Sequence, residues 1–230
     1  MRILLTALIA SAAWAGQNKP AAAPVPFANE TLSYTINWPS GLSLGEGRMT
    51  ANRSGEEWRF GLALDASIPG FTLTDTFASL AAGEFCSREF VKKSTHGKRK
   101  TDEKTTFEPD RRIATRETTG GGKSEISIEA CPRDALAFLY YVRRELSHGR
   151  VPPPQTVYYG AAYQVRLEYG GAQAIRVNDK PYTADRIMTT FKGPASNFTF
   201  EMFFARDAVR TPLVIKVPLM LGTFSMELAP

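Results

Sequence analysis

The sequence predicts a mainly β protein: an antiparallel curved sheet, half-barrel or barrel-like meander, with one central helix packed on it. The first observation is the alternation of apolar and polar residues in many short segments, which is typical of strands with one buried face. The second is that turn residues separate these segments at intervals of about 8 to 20 residues. The third is a single segment with helical periodicity, EACPRDALAFLYYVRREL at 129–146. Because strand and helix patterns do not alternate along the chain, a parallel βαβ architecture is disfavoured.

The amino terminus has the pattern of a secretory signal peptide. Arg2 precedes an apolar run over 3–10, and Ala13-Trp14-Ala15 follows as a small-x-small cleavage pattern. The apolar run is shorter than the ~20 residues that a membrane-spanning helix needs. We therefore expect a signal peptide at 1–15, a flexible Pro/Ala-rich tether at 16–28 and a single β-rich domain at 29–230. Such a protein is exported to the periplasm or the extracellular space.

The strands are marked by alternation and their ends by turn residues. The alternating apolar residues are Leu32, Tyr34, Ile36 and Trp38; Trp58, Phe60, Leu62 and Leu64; Ile126 and Ile128; Val165, Leu167 and Tyr169; Phe198, Phe200, Met202 and Phe204; and Phe224, Met226 and Leu228. The turn signals are Pro39-Ser40-Gly41, Ser54-Gly55, Pro69-Gly70, Pro109-Asp110, Gly120-Gly121-Gly122, Gly170-Gly171 and Asn178-Asp179.

The helical segment predicts a helix over 133–146, with Pro132 at its first position. Asp134 suits the start of a helix, Arg143 and Arg144 suit the last turn, and Gly149 can end it. The apolar residues form one stripe at helical spacing: Ala135, Phe138, Leu139, Val142 and Leu146. We therefore expect the helix to cover an open end or the concave face of the sheet.

The two cysteines, Cys86 and Cys131, predict one disulfide, since an exported chain with an even cysteine count is typically oxidised. The closed loop of about 45 residues corresponds to a stabilisation of about 3 to 4 kcal/mol in the chain-entropy model. His96 and His148 are not spaced as metal ligands, so the sequence predicts no metal site and no cofactor.

A cationic segment, VKKSTHGKRKTDEK at 91–104, flanks a predicted turn. On a two-stranded ribbon its cations would form a patch for an anionic surface such as phospholipid headgroups: Lys92, Lys93, Lys98, Arg99 and Lys100. The alternative is a solvated hairpin whose lysines discourage edge-to-edge pairing. Export and the lack of interleaved aromatic residues argue against nucleic acid as a partner.

The run of aromatic residues near residue 200 predicts an apolar ligand face. A half-barrel lined by Phe198, Phe200, Met202 and Phe204 could hold an acyl chain or another apolar ligand, and the alternative is ordinary sheet packing. Phe203 and Phe204 point to opposite faces of a regular strand, so one of them requires a second buried layer.

No catalytic residue is predicted. GGGKS at 120–124 lacks the first glycine of a phosphate-binding loop, because Glu117 stands there. No nucleophile motif occurs. Asp134 is interpreted as an acceptor at the helix start, and Asp207 and Arg210 as a structural pair across a turn.

Four segments resemble an exported bacterial family catalogued as domain of unknown function 3108. They are ETLSYTINWPSGLSLGEGRM, PRDALAFLYYVRREL, GAAYQVRLEYGG and FFARDAVRTPLVIKVPLMLGTFSMEL, and together they span about 28–229. The matching residues are Glu30, Leu32, Tyr34, Trp38, Gly45 and Glu46, then Asp134, Leu136, Leu139, Tyr140, Tyr141 and Arg143, and last the Asp-x-x-Arg-x-Pro pattern at 207–212. Phe203 or Phe204 stands where the family has a tryptophan. The resemblance implies a curved antiparallel β architecture and an envelope location, and it implies no activity.

The sequence favours a non-enzymatic envelope protein that binds a lipid-like apolar or amphiphilic molecule, with at most peripheral membrane contact. The first alternative is a structural or interaction module of an envelope assembly, whose partner would be an envelope protein. The second is a glycan or ester hydrolase, which would require two carboxylates about 5 to 10 Å apart in a cleft.

Overall fold

The chain forms one long antiparallel meander. The computed structural model describes residues 26–68, 70–194, 196–219 and 222–230, so the predicted signal peptide at 1–15 and the tether as far as residue 25 lie outside the described residues. The strands are β1 (Glu30–Asn37), β2 (Ser43–Ser54), β3 (Glu57–Ile68), β4 (Phe71–Ala82), β5 (Cys86–His96), β6 (Arg99–Glu108), β7 (Ile113–Thr118), β8 (Gly122–Ser127), β9 (Arg133–Asp134), β10 (Gln155–Tyr158), β11 (Ala162–Val177), β12 (Lys180–Lys192), β13 (Asn197–Ala205), β14 (Pro212–Leu219) and β15 (Gly222–Leu228). The helix is α1 (Ala135–Ser147), and a short 3₁₀ turn lies at Pro109–Arg111. The predicted mainly β meander with one helix is confirmed.

Among the described residues all strands belong to one sheet with two halves. The order across the sheet runs from β8 back to β1, then from β15 back to β9. The two halves meet where β1 pairs with β15, with Tyr34 opposite Leu228 and Asn37 opposite Ser225. All neighbours are antiparallel apart from the short parallel pair of β9 and β10.

The alternation of apolar and polar residues in the sequence corresponds to alternating buried and exposed side chains along the strands. In β11, Tyr163, Val165 and Leu167 are buried, whereas the residues between them are exposed. The turn after β11 uses Asn178 and Asp179, whose φ values of 46° and 62° suit a tight hairpin. Both the strand and the turn follow from local sequence.

Helix α1 begins two residues later than predicted. Its N-cap is Asp134, and Pro132 precedes the strand β9 instead of opening the helix. At the other end Gly149 has φ +72° and its N–H donates to the carbonyl of Leu146 at 3.0 Å, so glycine terminates the helix as predicted. Among the described residues no helix is both long and apolar enough to cross a bilayer.

The helix lies between the two halves of the sheet and is buried on two faces. Phe138, Val142 and Leu146 pack with β10 to β13, and these residues belong to the predicted stripe. The prediction of a single stripe is wrong in one respect: a second face, which includes Leu136, Ala137 and Tyr140, packs with β1 to β8. The predicted stripe has five apolar residues, whereas the second face has only Leu136, Ala137 and Tyr140, which is too short a set to stand out as a second stripe in the sequence.

The predicted disulfide is confirmed. Cys86 and Cys131 are bonded, with their Cα atoms 4.6 Å apart. Next to it the N–H of Ser87 donates to the carbonyl of Pro132 at 2.7 Å. Together these bonds fix the start of α1 against β5.

The core extends back to Phe27, two residues before the predicted start of the domain. Its ring lies 5.7 Å from that of Trp58 and 5.4 Å from that of Tyr140, and the residue is buried. Residue 27 is therefore part of the packed domain, within the range predicted as tether.

Candidate functional site

Asp134 anchors the start of α1 and is fully buried. One carboxylate oxygen accepts hydrogen bonds from the backbone N–H groups of Leu136 and Ala137 at 2.9 and 3.1 Å. The other accepts from the hydroxyls of Ser79 and Ser87, both at 2.6 Å. Burial raises the pKa of Asp134, and these donors oppose that effect. Four donors occupy the acceptor positions of the carboxylate, so Asp134 is a structural N-cap, as predicted.

Arg143 forms a second buried polar cluster. Its guanidinium is completely buried and makes a bidentate ion pair with Glu30, at 2.6 and 2.7 Å. Its Nε donates to the carbonyls of Val209 and Arg210, both at 3.2 Å. The sequence indicated only a helix-dipole role for Arg143, whereas the structure shows that it joins α1 to β1 and to the segment before β14.

Helix α1 covers the inner half of the predicted apolar face, which is formed by Met202 and Phe204. Phe198, Phe200, Met202 and Phe204 alternate along β13 and share one face of the sheet. Met202 and Phe204 are buried in the cluster that contains Phe138 and Val142 of α1. Phe203 points to the opposite side, where it packs with Leu213 and Val214. The expected second layer is therefore present, with Phe204 beneath the helix.

The outer half of that face is uncovered. Phe198 is 41% exposed, and its ring stacks on those of Phe191 and Phe200 at 5.0 and 6.0 Å between centres. Register pairs extend the same face across β14 and β15, because Met202 opposes Ile215 and Val217 opposes Phe224. Directly opposed residues lie on the same side of a sheet. We call this surface the open apolar face; it consists of Trp38, Phe198, Phe200, Val217, Leu219 and Phe224, and it borders the buried ring of Phe191.

The open apolar face reaches the hairpin end of the sheet. Leu219, at the end of β14, is 57% exposed. Trp38 lies in the turn that follows β1, and the centre of its indole ring is 4.9 Å from the centre of the Phe224 ring in β15. Leu42, in the same turn, is also exposed. Large apolar side chains are thus exposed to solvent on two neighbouring hairpins. Contiguous exposed apolar patches commonly mark binding surfaces.

The predicted cationic patch is divided between the two faces of β5. The ammonium of Lys92 lies 4.7 Å from the centre of the Tyr159 ring. Lys93 points to the other side and lies 3.8 Å from Asp102. The remaining cations of the predicted patch, Lys98, Arg99 and Lys100, are exposed at the hairpin tip. The five cations therefore do not form one continuous patch, and three of them lie together at this tip.

The histidines stand apart from one another. His96 Nε2 lies 2.8 Å from Asp75 Oδ1. His148 caps the end of α1, where its Nδ1 lies 3.3 Å from an Arg150 nitrogen. Within the part of the chain that the structure describes, no group of three or more His, Cys, Asp or Glu residues could hold a metal ion.

One groove, of about 490 Å³ against β1 to β4, is lined by three carboxylates: Glu46, Asp65 and Asp75. Asp75 is buried and lies 2.8 Å from His96 Nε2. Glu46 lies opposite Asp65 in the register of β2 and β3. Both side chains are exposed to water. The catalytic acid of a glycoside hydrolase instead occupies an apolar, dehydrated pocket, so this pair does not favour the hydrolase alternative.

The predicted pair of Asp207 and Arg210 is wrong. Arg210 instead pairs with Asp185 at 2.8 Å. The carboxylate of Asp207 accepts hydrogen bonds from the backbone N–H and the hydroxyl of Thr211, at 3.0 and 2.6 Å. Asp207 thereby stabilises its own turn, and the arginine is free to reach across to β12.

The family comparison covers most of the chain. The family described as "Protein of unknown function (DUF3108)" matches residues 33–229. The chain belongs to this DUF3108 family. The match confirms the resemblance to the DUF3108 family found in the sequence. The matched region begins after Glu30, which is the partner of Arg143. No curated protein matches the chain.

A solved structure resembles this DUF3108 protein across nearly its whole length. It is a β-barrel-like protein of the domain of unknown function DUF1849 from Brucella abortus. The likeness has a TM-score of 0.64 and 8% identity, and it covers 89% of this chain and 97% of the other. At this identity the likeness establishes a shared barrel-like fold.

Two features of this DUF3108 protein escaped the sequence analysis. One is the ion pair of Glu30 and Arg143, whose residues are 113 positions apart. The other is a cluster of Asp185 with Arg206 and Arg210. Glu30, Arg143, Arg206 and Arg210 lie in segments that the family resemblance marks, whereas Asp185 does not. Ionic pairing over such separations leaves no periodic signal in one sequence.

Proposed function

We propose that this protein is exported and binds the hydrocarbon part of a lipid-like amphiphile on the open apolar face. The observation that carries the proposal is the exposure of Phe198 and Leu219 at the end of a continuous apolar surface. Helix α1 covers Met202 and Phe204 but leaves Phe198 and Leu219 exposed.

The energetics of this face suit a hydrocarbon chain. Each buried CH₂ group contributes ~0.8 kcal/mol, so about ten buried groups provide the ~8 kcal/mol that corresponds to micromolar binding. The protein side chains that become covered contribute as well, and they offset part of the entropy lost on association.

Two features support export. The amino-terminal pattern is that of a signal peptide, with Arg2 before an apolar run and Ala13-Trp14-Ala15 after it. The Cys86–Cys131 disulfide suits an oxidising compartment. The exposed cations of the hairpin tip would further allow peripheral contact with anionic headgroups.

Quenching of Trp38 fluorescence by 9,10-dibromostearate tests the proposal, because bromine quenches an indole that it contacts. Trp58 is buried in the core, and Trp14 is absent once the signal peptide is removed. We expect saturable quenching that disappears in Trp38→Phe. In Phe198→Ser/Leu219→Ser the midpoint rises at least tenfold, since two exposed contacts are removed.

Phe71→Ser is the matched control, because Phe71 is an exposed phenylalanine that belongs neither to the open apolar face nor to any other proposed site. Its titration should follow that of the wild type. No quenching, or equal quenching in the Phe198→Ser/Leu219→Ser variant, would overturn the proposal and favour a protein partner at this face.

A further inference from the structure

A cavity of about 420 Å³ lies near the end of α1, separate from the open apolar face. Its volume falls in the range of roughly 300 to 1,000 Å³ that is typical of small-molecule sites. Its lining includes Arg150, Val151, Tyr169, Asp185, Arg206 and Arg210. Asp185 precedes Phe191, which borders the open apolar face, by six residues of β12, which is about 20 Å along a strand.

The cavity carries one unbalanced positive charge. Asp185 is buried and accepts hydrogen bonds from Arg206 Nε at 2.9 Å, from Arg210 at 2.8 Å and from the hydroxyl of Tyr169 at 2.9 Å. Arg150 is already paired with Glu145 at 2.8 Å. Since one carboxylate faces two guanidinium groups, Arg206 and Arg210 together retain a single positive charge.

These two guanidinium groups also retain free donors. Each guanidinium has five N–H donors in a planar fork that suits an oxyanion. Within the described residues, the buried Nε of Arg210 has no hydrogen-bond partner. The side chain of Arg206 is 48% exposed, so a ligand can reach it from solvent.

The mouth of the cavity is apolar. Tyr169 and Val151 are 50% and 38% exposed, and both belong to the lining. We propose that this cavity binds a small carboxylate with a short apolar body: the carboxylate pairs with Arg206 and Arg210, and the body lies on Tyr169 and Val151. A monoanion balances the single excess charge, whereas a phosphate monoester would bring a charge of about −1.5 to −2.

Titration with hexanoate, followed by backbone amide NMR spectra, tests this site. We expect hexanoate to shift the resonances of Val151, Tyr169 and Arg206, and we expect 1-hexanol and inorganic phosphate at equal concentration to shift them much less. In Arg206→Gln the dissociation constant for hexanoate should rise at least tenfold, while the protein remains folded because Arg210 and Tyr169 still donate to Asp185.

Arg166→Gln is the matched control, since Arg166 is an exposed arginine paired with Glu168 outside the cavity. It should bind hexanoate as the wild type does. Equal shifts with 1-hexanol, binding of phosphate as tight as that of hexanoate, or unchanged affinity in Arg206→Gln would each overturn the inference. Quenching of Trp38 by dibromostearate should be the same in Arg206→Gln and the wild type, so the two proposed sites succeed or fail separately.

Discussion

At the residue scale, Arg143 has every polar contact supplied by the protein itself. Its side chain is completely buried, and its partners are Glu30 and the carbonyls of Val209 and Arg210. The rings of Phe27 and Tyr140 lie 5.0 and 4.9 Å from the guanidinium carbon. A charge in such surroundings is stable only while its partners remain.

Arg143→Met should therefore destabilise the fold by about 3 to 5 kcal/mol, because it leaves the Glu30 carboxylate and two carbonyls without their donor. The double variant Glu30→Gln/Arg143→Met should recover part of this loss, since no unpaired charge remains. Urea unfolding measures both free energies. Arg166→Met, at an exposed pair, should cost less than about 0.5 kcal/mol. A loss below about 1 kcal/mol in Arg143→Met would contradict the structural role.

The pH dependence of Asp134 is a second prediction at this scale. Burial raises the pKa of its carboxyl in the folded state above the unfolded value of about 4, so the folded state holds the proton more tightly. Its contribution to stability is then fully present below pH ~4 and decreases as pH rises through the folded pKa. The free energy of unfolding of the wild type minus that of Asp134→Asn should fall from pH 4 upward. A difference that rises with pH would show that the hydrogen bonds from Ser79 and Ser87 outweigh burial.

Residue roles were predictable from sequence where the partner is local. Asp134 accepts from N–H groups two and three residues later, and a helix-start pattern indicates this directly. Asp207 and Arg210 were paired by proximity in sequence, yet Arg210 reaches Asp185 on β12. The outcome depends on the antiparallel packing of β12, β13 and the following turn, which a single sequence does not specify.

At the scale of elements, the start of α1 is held by three connections. These are the disulfide, the hydrogen bond of Ser87 to Pro132, and the Asp134 cluster. The helix has 13 residues, a length that is marginal for an isolated helix in water. Its stability therefore comes from packing between the two halves of the sheet and from these connections.

Loss of the disulfide should lower stability by about 3 to 4 kcal/mol, because the unfolded chain regains the freedom of a loop of 45 residues. Cys86→Ser/Cys131→Ser tests this by urea unfolding, with amide hydrogen exchange at the start of α1 as a local readout. A reductant should destabilise the wild type and leave the double variant unchanged. Equal stability of the wild type with and without reductant would contradict this prediction.

Elements were predicted to the extent that their periodicity is simple. Alternation located strands such as β11 and β13, and glycine located the end of α1. The second buried face of the helix was missed, because Leu136 and Tyr140 lie outside the single stripe of apolar residues that defined the prediction.

At the scale of the whole molecule, the order of the sheet explains where an apolar surface stays open. The sheet folds around α1, and the inner parts of both halves pack on the helix. The hairpin end of the second half extends beyond the helix, so Phe198 and Leu219 remain exposed. The fold class was predictable from alternation and turns, but the uncovered part depends on the length and position of the helix relative to the strands.

Intermolecular NOE spectra of the protein with ¹³C-labelled dodecanoate test whether a hydrocarbon chain lies on the open apolar face. We expect contacts from the chain protons of dodecanoate to the methyl groups of Leu219 and to the rings of Phe198 and Trp38. The absence of binding, or contacts confined to other surfaces, would contradict it.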